Sequence, residues 1–134
     1  MIDSNTIKEY LESKGYAFAM EACHQDPEWH AEGDVWTHTL MVVDALKSLD
    51  EFKVLDHNDQ LTLLLVAFLH DMAKPDTTRE IDGRIKSPGH SLLAAKQSIQ
   101  ILNDLKVHKS LYRSIFELIR YHGRASYFSS AKDS

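Results

Sequence analysis

The sequence predicts a single all-α domain, a helical bundle of about five to seven helices spanning residues 1–134. Three observations carry this expectation. Apolar residues recur every three to four positions along successive stretches of the chain. Turn-forming residues gather in two connections, His24–Gly33 and Lys74–Gly89. The composition, 43% hydrophobic and 26% charged over 134 residues, suits one core and offers neither repeats nor low complexity.

Residues 3–13 read as a first short helix capped by Asp3 or Ser4, with Ile7, Tyr10 and Leu11 at helical spacing and Gly15 ending it. Tyr16 to Cys23 reads as a second, with Phe18 and Met20 available for burial. Asp34 caps a third, DVWTHTLMVVDALKSL, whose expected inward stripe is Val35, His38, Val42 and Ala45, extended by Leu46 and Leu49. After the polar stretch Asp56–Asp59 comes QLTLLLVAFLHDMAK. Its run Leu63–Leu69 is apolar all round, as in a central buried helix; its length and Leu/Ala content favour helix over a buried strand. Within the long connection Lys74–Gly89, Thr-Arg-Glu-Ile-Asp-Gly-Arg-Ile can form a small hairpin turning at Asp82-Gly83. A helix then runs from His90 or Ser91 to about Leu105. A last one runs from about His108 to Tyr121, with Leu111, Ile115, Leu118 and Ile119 inward. From Gly123 the pattern fades, and residues 125–134 are expected to be a flexible tail.

Several classes fall away. No apolar run approaches the roughly 20 residues that cross a bilayer, and the N-terminus lacks the basic and apolar regions of a secretory signal. The lone Cys23 cannot form an internal disulfide, which suits a reducing, cytoplasmic setting, and it has no local pattern of a nucleophile. The net charge of −5 divides into −9 over residues 1–60 and +4 over residues 61–134. The whole chain is thus a poor generic nucleic-acid binder, while the second half either holds a local anion site or presents a solvated basic face.

Eight histidines are many for this length. His70-Asp71 ends the most apolar helix, where burying an unpartnered carboxylate costs on the order of several kcal/mol. A divalent cation is the simplest partner, since it accepts both carboxylate and neutral imidazole; a surface Asp beside a core His is the plainer alternative. His38 faces inward from its helix, His90 opens one and His122 closes the last. Four histidines and an Asp at element ends or apolar faces can meet at one point, and such a meeting is more often a metal site than a core. Lys74, one helical turn after His70, can bind phosphate; Arg79, Arg84, Lys86 and Arg124 are weaker candidates. Trp36 and Tyr121 can stack on a base, although core or rim packing is the better reading. His24 and His30 with Asp26 and Glu28 can form a second surface metal site or simply a polar loop. His57 and His108 read as helix-boundary residues.

The order His38, then His70-Asp71, within EWHAEGDVWTHTLMVVDAL, AFLHDMAKPDTT, DGRIKSPGH and RYHGR, resembles the HD superfamily of metal-dependent phosphohydrolases. The flanks look like the HD domain of bacterial tRNA nucleotidyltransferases, from about Asp26 to Arg124. The resemblance implies an HD-type bundle around one or two divalent ions (Mn, Fe, Ni, Co or Mg). It makes His38, His70 and Asp71 direct ligands. His90 and His122 become ligands of a second ion or phosphate contacts. The imidazole-rich set favours a transition metal over Mg²⁺. The implied catalytic residues are Asp71, His122 and Lys74. The implied substrate is a small phosphate ester or nucleotide, with 2′,3′-cyclic phosphodiesterase, 2′-nucleotidase or phosphatase activity. The family motif closes with another Asp on a downstream helix, whereas the only acid beyond His122 is Asp133. That departure keeps an alternative open: a non-catalytic HD module that binds a nucleotide, an RNA end or a partner domain.

Overall fold

The computed structural model describes residues 1–25 and 33–133, with side chains described through His122. Asp3 accepts from the Thr6 N–H at 2.9 Å and starts α1 (Ser4–Ser13), whose Ile7 and Leu11 are fully buried. Gly15, at φ +85°, takes the left-handed turn into α2 (Tyr16–Glu21), where Ala17 and Met20 enter the core. Phe18, expected to be available for burial, is 76% exposed, because it stands off the Ala17/Met20 stripe.

Asp34 caps α3 (Val35–Ser48) as expected, taking both the N–H and the hydroxyl of Thr37 at 2.8 Å. The buried stripe differs from the expected one. Val35, Trp36, Thr39 and Val43 face the core, His38 and Val42 lie at its edge, and Ala45 and Leu49 are exposed. Trp36, against Phe68 at 6.5 Å between rings, turns the helix by about one position. The largest apolar side chain set the rotation, which displaced His38 to the rim. Trp36 is therefore core and not a stacking platform.

After the single turn α4 (Asp50–Lys53), Asp56 caps α5 (His57–Leu69). This is the central helix: it touches α1, α3, α7 and α8, and it buries Leu61, Leu64, Leu65, Ala67, Phe68 and Leu69. The connection beyond holds one helical turn, α6 (Lys74–Thr77), and the expected hairpin, β1 (Arg79–Ile81) antiparallel to β2 (Arg84–Lys86). Its Asp82-Gly83 turn has two positive φ angles, +53° and +78°, the two-residue geometry that fits strand twist.

Then α7 (His90–Asp104) and, after the 3-10 turn η1 (Lys109–Leu111), α8 (Tyr112–Asp133) form the most extensive helix pair. Ile115 and Ile119 are fully buried, but Leu118 is exposed on the far side of the stripe. The backbone of α8 does not end near Tyr121. It continues helically to Asp133, so His122 lies inside a helix and not at its close. The side chains of 123–134, Arg124 and Asp133 among them, lie outside the described residues, as does the flexibility expected of 125–134. So do Asp26, Glu28 and His30. Among the described residues no helix is long and apolar enough to cross a membrane.

Candidate metal centre

Asp71 stands just past the end of α5 and is 3% exposed. Each of its oxygens faces its own pair of imidazoles. Oδ2 lies 3.1 Å from His70 Nε2 and 3.8 Å from His38 Nε2; Oδ1 lies 3.2 Å from His90 Nε2 and 3.4 Å from His122 Nε2. Four elements deliver these rings. His38 comes from α3, His70 from the cap of α5, His90 from the first residue of α7 and His122 from α8.

The rings are held by the backbone. The Nδ1 of His70, His90 and His122 lie 2.8, 2.9 and 2.6 Å from the carbonyls of Ala67, Ser87 and Ile119. A carbonyl oxygen only accepts, so each Nδ1 carries the hydrogen and each Nε2, in the neutral ring, turns a lone pair inward. Those lone pairs meet carboxylate oxygens, and His90 Nε2 meets His122 Nε2 at 3.2 Å. Such a convergence is repulsive unless positive charge sits among the atoms. Protons can supply it, and so can a divalent cation, which this oriented set of imidazole nitrogens and a carboxylate fits. Two overlapping triads qualify, His38/His70/Asp71 and Asp71/His90/His122, sharing the carboxylate.

The electrostatics agree. Burial is the largest influence on Asp71 and opposes its charge. The charge of His70 and hydrogen bonds from His122, His70 and His90 outweigh it and hold the carboxyl well below the usual range. For His70, burial again acts first, favouring the neutral ring. The Asp71 charge and hydrogen bond, with the Ala67 carbonyl, overcome both it and the nearby Lys74, and the pKa is raised.

Residues 35–128 match the HD domain family, well over half of the chain. The chain belongs to the HD domain family. No curated protein and no solved structure matches it. HD domains make up a superfamily of metal-dependent phosphohydrolases, and the histidines and Asp71 of this one could hold a divalent ion.

In this HD domain Lys74 stands with the cluster. Its Nζ is 3.5 Å from Asp71 Oδ2 and donates to Gln25 Oε1 at 2.7 Å. Arg79 sits exposed on β1 and Arg84 half-buried on β2, with no bond to Asp71 in either case among the described contacts. Lys86 is exposed at the end of β2. Cys23 is buried, its Sγ 3.5 Å from Thr78 Oγ1. His57 begins α5, and His108 caps η1 by accepting from the Ser110 N–H. Tyr121 is partly exposed beside Arg120. The backbone of Asp133 is eleven residues beyond His122, a rise of about 16 Å along α8.

A groove of about 430 Å³ opens beside the rings, lined by His38, His70 and His122 with Val42, Leu63 and Val66. Leu63 and Val66, in its apolar wall, are the two partly buried residues of the otherwise buried stretch Leu61–Leu69. One neighbour of the cluster had no sequence signal at all. Gln25, a single amide in a turn-rich stretch, is held against Lys74 only by the tertiary fold.

Proposed function

We propose that this HD domain hydrolyses small phosphate esters, nucleotides foremost, with a divalent transition metal held by His38, His70 and Asp71. The observation that carries the reading is the set of inward Nε2 lone pairs around one buried carboxylate with a lysine beside it. A divalent ion there would supply Lewis acidity to a phosphoryl oxygen and lower the pKa of a water, so that it loses a proton near neutral pH and becomes a hydroxide nucleophile.

The chain's residues do the rest. Asp71, held ionised, takes its place in the ligand set and can orient the attacking water. Lys74 neutralises a phosphoryl oxygen. With three ligands assigned to His38, His70 and Asp71, His90 and His122 would either help Asp71 hold a second ion or contact the phosphate. In the latter case His122 would serve the leaving oxygen as a general acid only in its imidazolium form, with Nδ1–H on the Ile119 carbonyl and the second proton on Nε2. The organic part of the ester lies along the groove of Leu63 and Val66, away from water. The likeness of the HD flanks to tRNA nucleotidyltransferases supports nucleotides, and 2′,3′-cyclic nucleotides are the first substrates to assay.

The test is a panel of nucleotide and generic phosphate esters, each with Mn²⁺, Fe²⁺, Co²⁺, Ni²⁺ or Mg²⁺. Turnover stimulated by Mn²⁺, Co²⁺ or Ni²⁺ and abolished by chelator is expected, as is a loss of turnover in His122→Ala with His38/His70/Asp71 metal retained. If every combination stays at the Asp71→Ala background, a non-catalytic module binding a nucleotide, an RNA end or a partner domain replaces the enzyme.

A further inference from the structure

We infer that the ester taken by this centre carries one phosphoryl group on an uncharged arm with an apolar face, and that Leu118 and Tyr121 of α8, with Val66 of α5, select that arm. The inference deepens the phosphohydrolase reading above and rests on it.

Three helices each leave one stripe of side chains incompletely covered, and each stripe runs to a histidine of the cluster. On α5, Leu63 and Val66 lead at helical spacing into the half-buried His70. On α3 the half-buried line is Leu46, Val42 and His38. On α8, Leu118 and Tyr121 are each 45% exposed and lead to His122.

Besides the groove at His38, these stripes form a second one of about 600 Å³, lined from α5 and α8 alone. The two share Leu63, Val66 and His122, so they adjoin at the candidate metal centre itself. Exposed apolar side chains around a concavity mark a binding site. A protein partner laid over these walls would block the approach to three of the four rings, His38, His70 and His122, whereas the arm of a substrate uses that approach.

The chemistry of the lining identifies the arm. No lysine or arginine lines either groove, and Arg120, stacked on the Tyr121 ring at 5.1 Å, is not part of the lining. Apart from the rings, the polar side chains are Ser114 and Glu117, and Glu117 already pairs with Arg113 at 3.2 Å. A second phosphate would thus meet a carboxylate and no cation, which disfavours it. Aliphatic walls and one aromatic ring suit instead an alkyl chain or the flat face of a nucleobase. The reach is sufficient: Ser114 stands eight residues before His122, a rise of about 12 Å along α8.

The experiment measures, by calorimetry, binding of non-hydrolysable phosphonates to the full chain loaded with Ni²⁺: ethylphosphonate, hexylphosphonate, phenylphosphonate and 6-phosphonohexanoate. Full burial of one methylene is worth about four-fold in affinity, so hexylphosphonate should bind at least about ten-fold more tightly than ethylphosphonate even in an open groove. The distal carboxylate of 6-phosphonohexanoate should cancel that gain. Leu118→Asp and Tyr121→Ser should each cut the hexyl-to-ethyl ratio at least about three-fold, with ethylphosphonate affinity and Ni²⁺ content at wild-type values. Val54→Asp, at an exposed position outside both linings, should change nothing. Phenyl and hexyl arms match in carbon count, so the tighter of the two tells a flat ring from an alkyl chain, and either supports the apolar arm. Affinity indifferent to arm length, equal binding of 6-phosphonohexanoate, or no phosphonate binding overturns the inference. So does a dimer in sedimentation that Leu118→Asp dissolves and hexylphosphonate does not perturb, which would give the grooves to a second copy. Ester hydrolysis without dependence on the arm would sink this inference alone; arm-dependent binding without any hydrolysis would sink the enzyme reading alone.

Discussion

Asp71 and His70 move each other's protons in opposite directions, and that gives the metal-free protein a defined pH dependence. The Asp71 pKa is depressed, so its contribution is present above the unfolded carboxylate value and lost as pH falls through the folded one. The His70 pKa is raised, so its contribution is present below the unfolded imidazole value and lost as pH rises through the folded one. The chelated protein should therefore melt at a higher temperature near pH 6 than near pH 8, values on the two sides of the ordinary imidazole pKa of about 6.5. Added metal should act in the reverse order, because protons compete for the same Nε2 atoms. A larger rise in melting temperature with Ni²⁺ near pH 8 than near pH 6 is expected by differential scanning fluorimetry, and Asp71→Asn should flatten both trends. A chelated wild type whose melting temperature is level across this range would contradict the assignment. Metal analysis gives a second reading at the same scale: His70→Ala and Asp71→Ala should retain far less ion than wild type, whereas His57→Ala should match it.

At the scale of elements, the helix starts decide where the ligands stand. Asp34 Oδ1 and Oδ2 hold the first turn of α3, four residues before His38. Asp34→Ala should cost about 1 kcal/mol in urea unfolding, as for other lost caps, and lower metal affinity by loosening the turn that aims His38. On α5, the fully buried Leu65 replaced by Ala should cost about 2–5 kcal/mol, against less than about 0.5 for Val54→Ala at an exposed site. Caps, the central helix and the Asp82-Gly83 turn were legible in the sequence because each is a local device: an Asp that accepts the N–H three residues on, an unbroken apolar run, a pair suited to positive φ. The rotation of α3 was not, because Val35/His38/Val42 and Val35/Trp36/Thr39/Val43 are both respectable stripes, and only contact with Phe68 chooses between them. The end of α8 is hidden for a related reason, since Gly123 and the polar residues after it weaken a helix without forbidding one. Of the centre, the five residues could be named from the sequence; that one carboxylate faces four rings could not, nor could Gln25, which meets Lys74 only where two distant segments come together.

For the whole molecule, an ion held by the His/Asp cluster would be a cross-link among α3, α5, α7 and α8. An ion that binds the folded chain alone should add about 2.7 kcal/mol to the unfolding free energy at a free concentration one hundred times its Kd. Urea titrations in metal buffers should reproduce that figure and its logarithmic rise with concentration; a midpoint indifferent to the ion would place it on the surface. The dispersal of the ligands along the chain also has a consequence for how the protein is made. His38 and His122 are separated by roughly 84 residues, about 4–17 s of translation at 5–20 residues per second. Through that interval the emerging polypeptide has carried His38 and Asp71 out of the ribosome before α8 exists to bring His122 against them. A cation captured early would meet only an open, low-affinity subset of donors, and tight capture must wait until the last helix docks. Tight binding of an ion would therefore follow the docking of α8, and discrimination among competing ions would fall to the folded domain rather than to the nascent one.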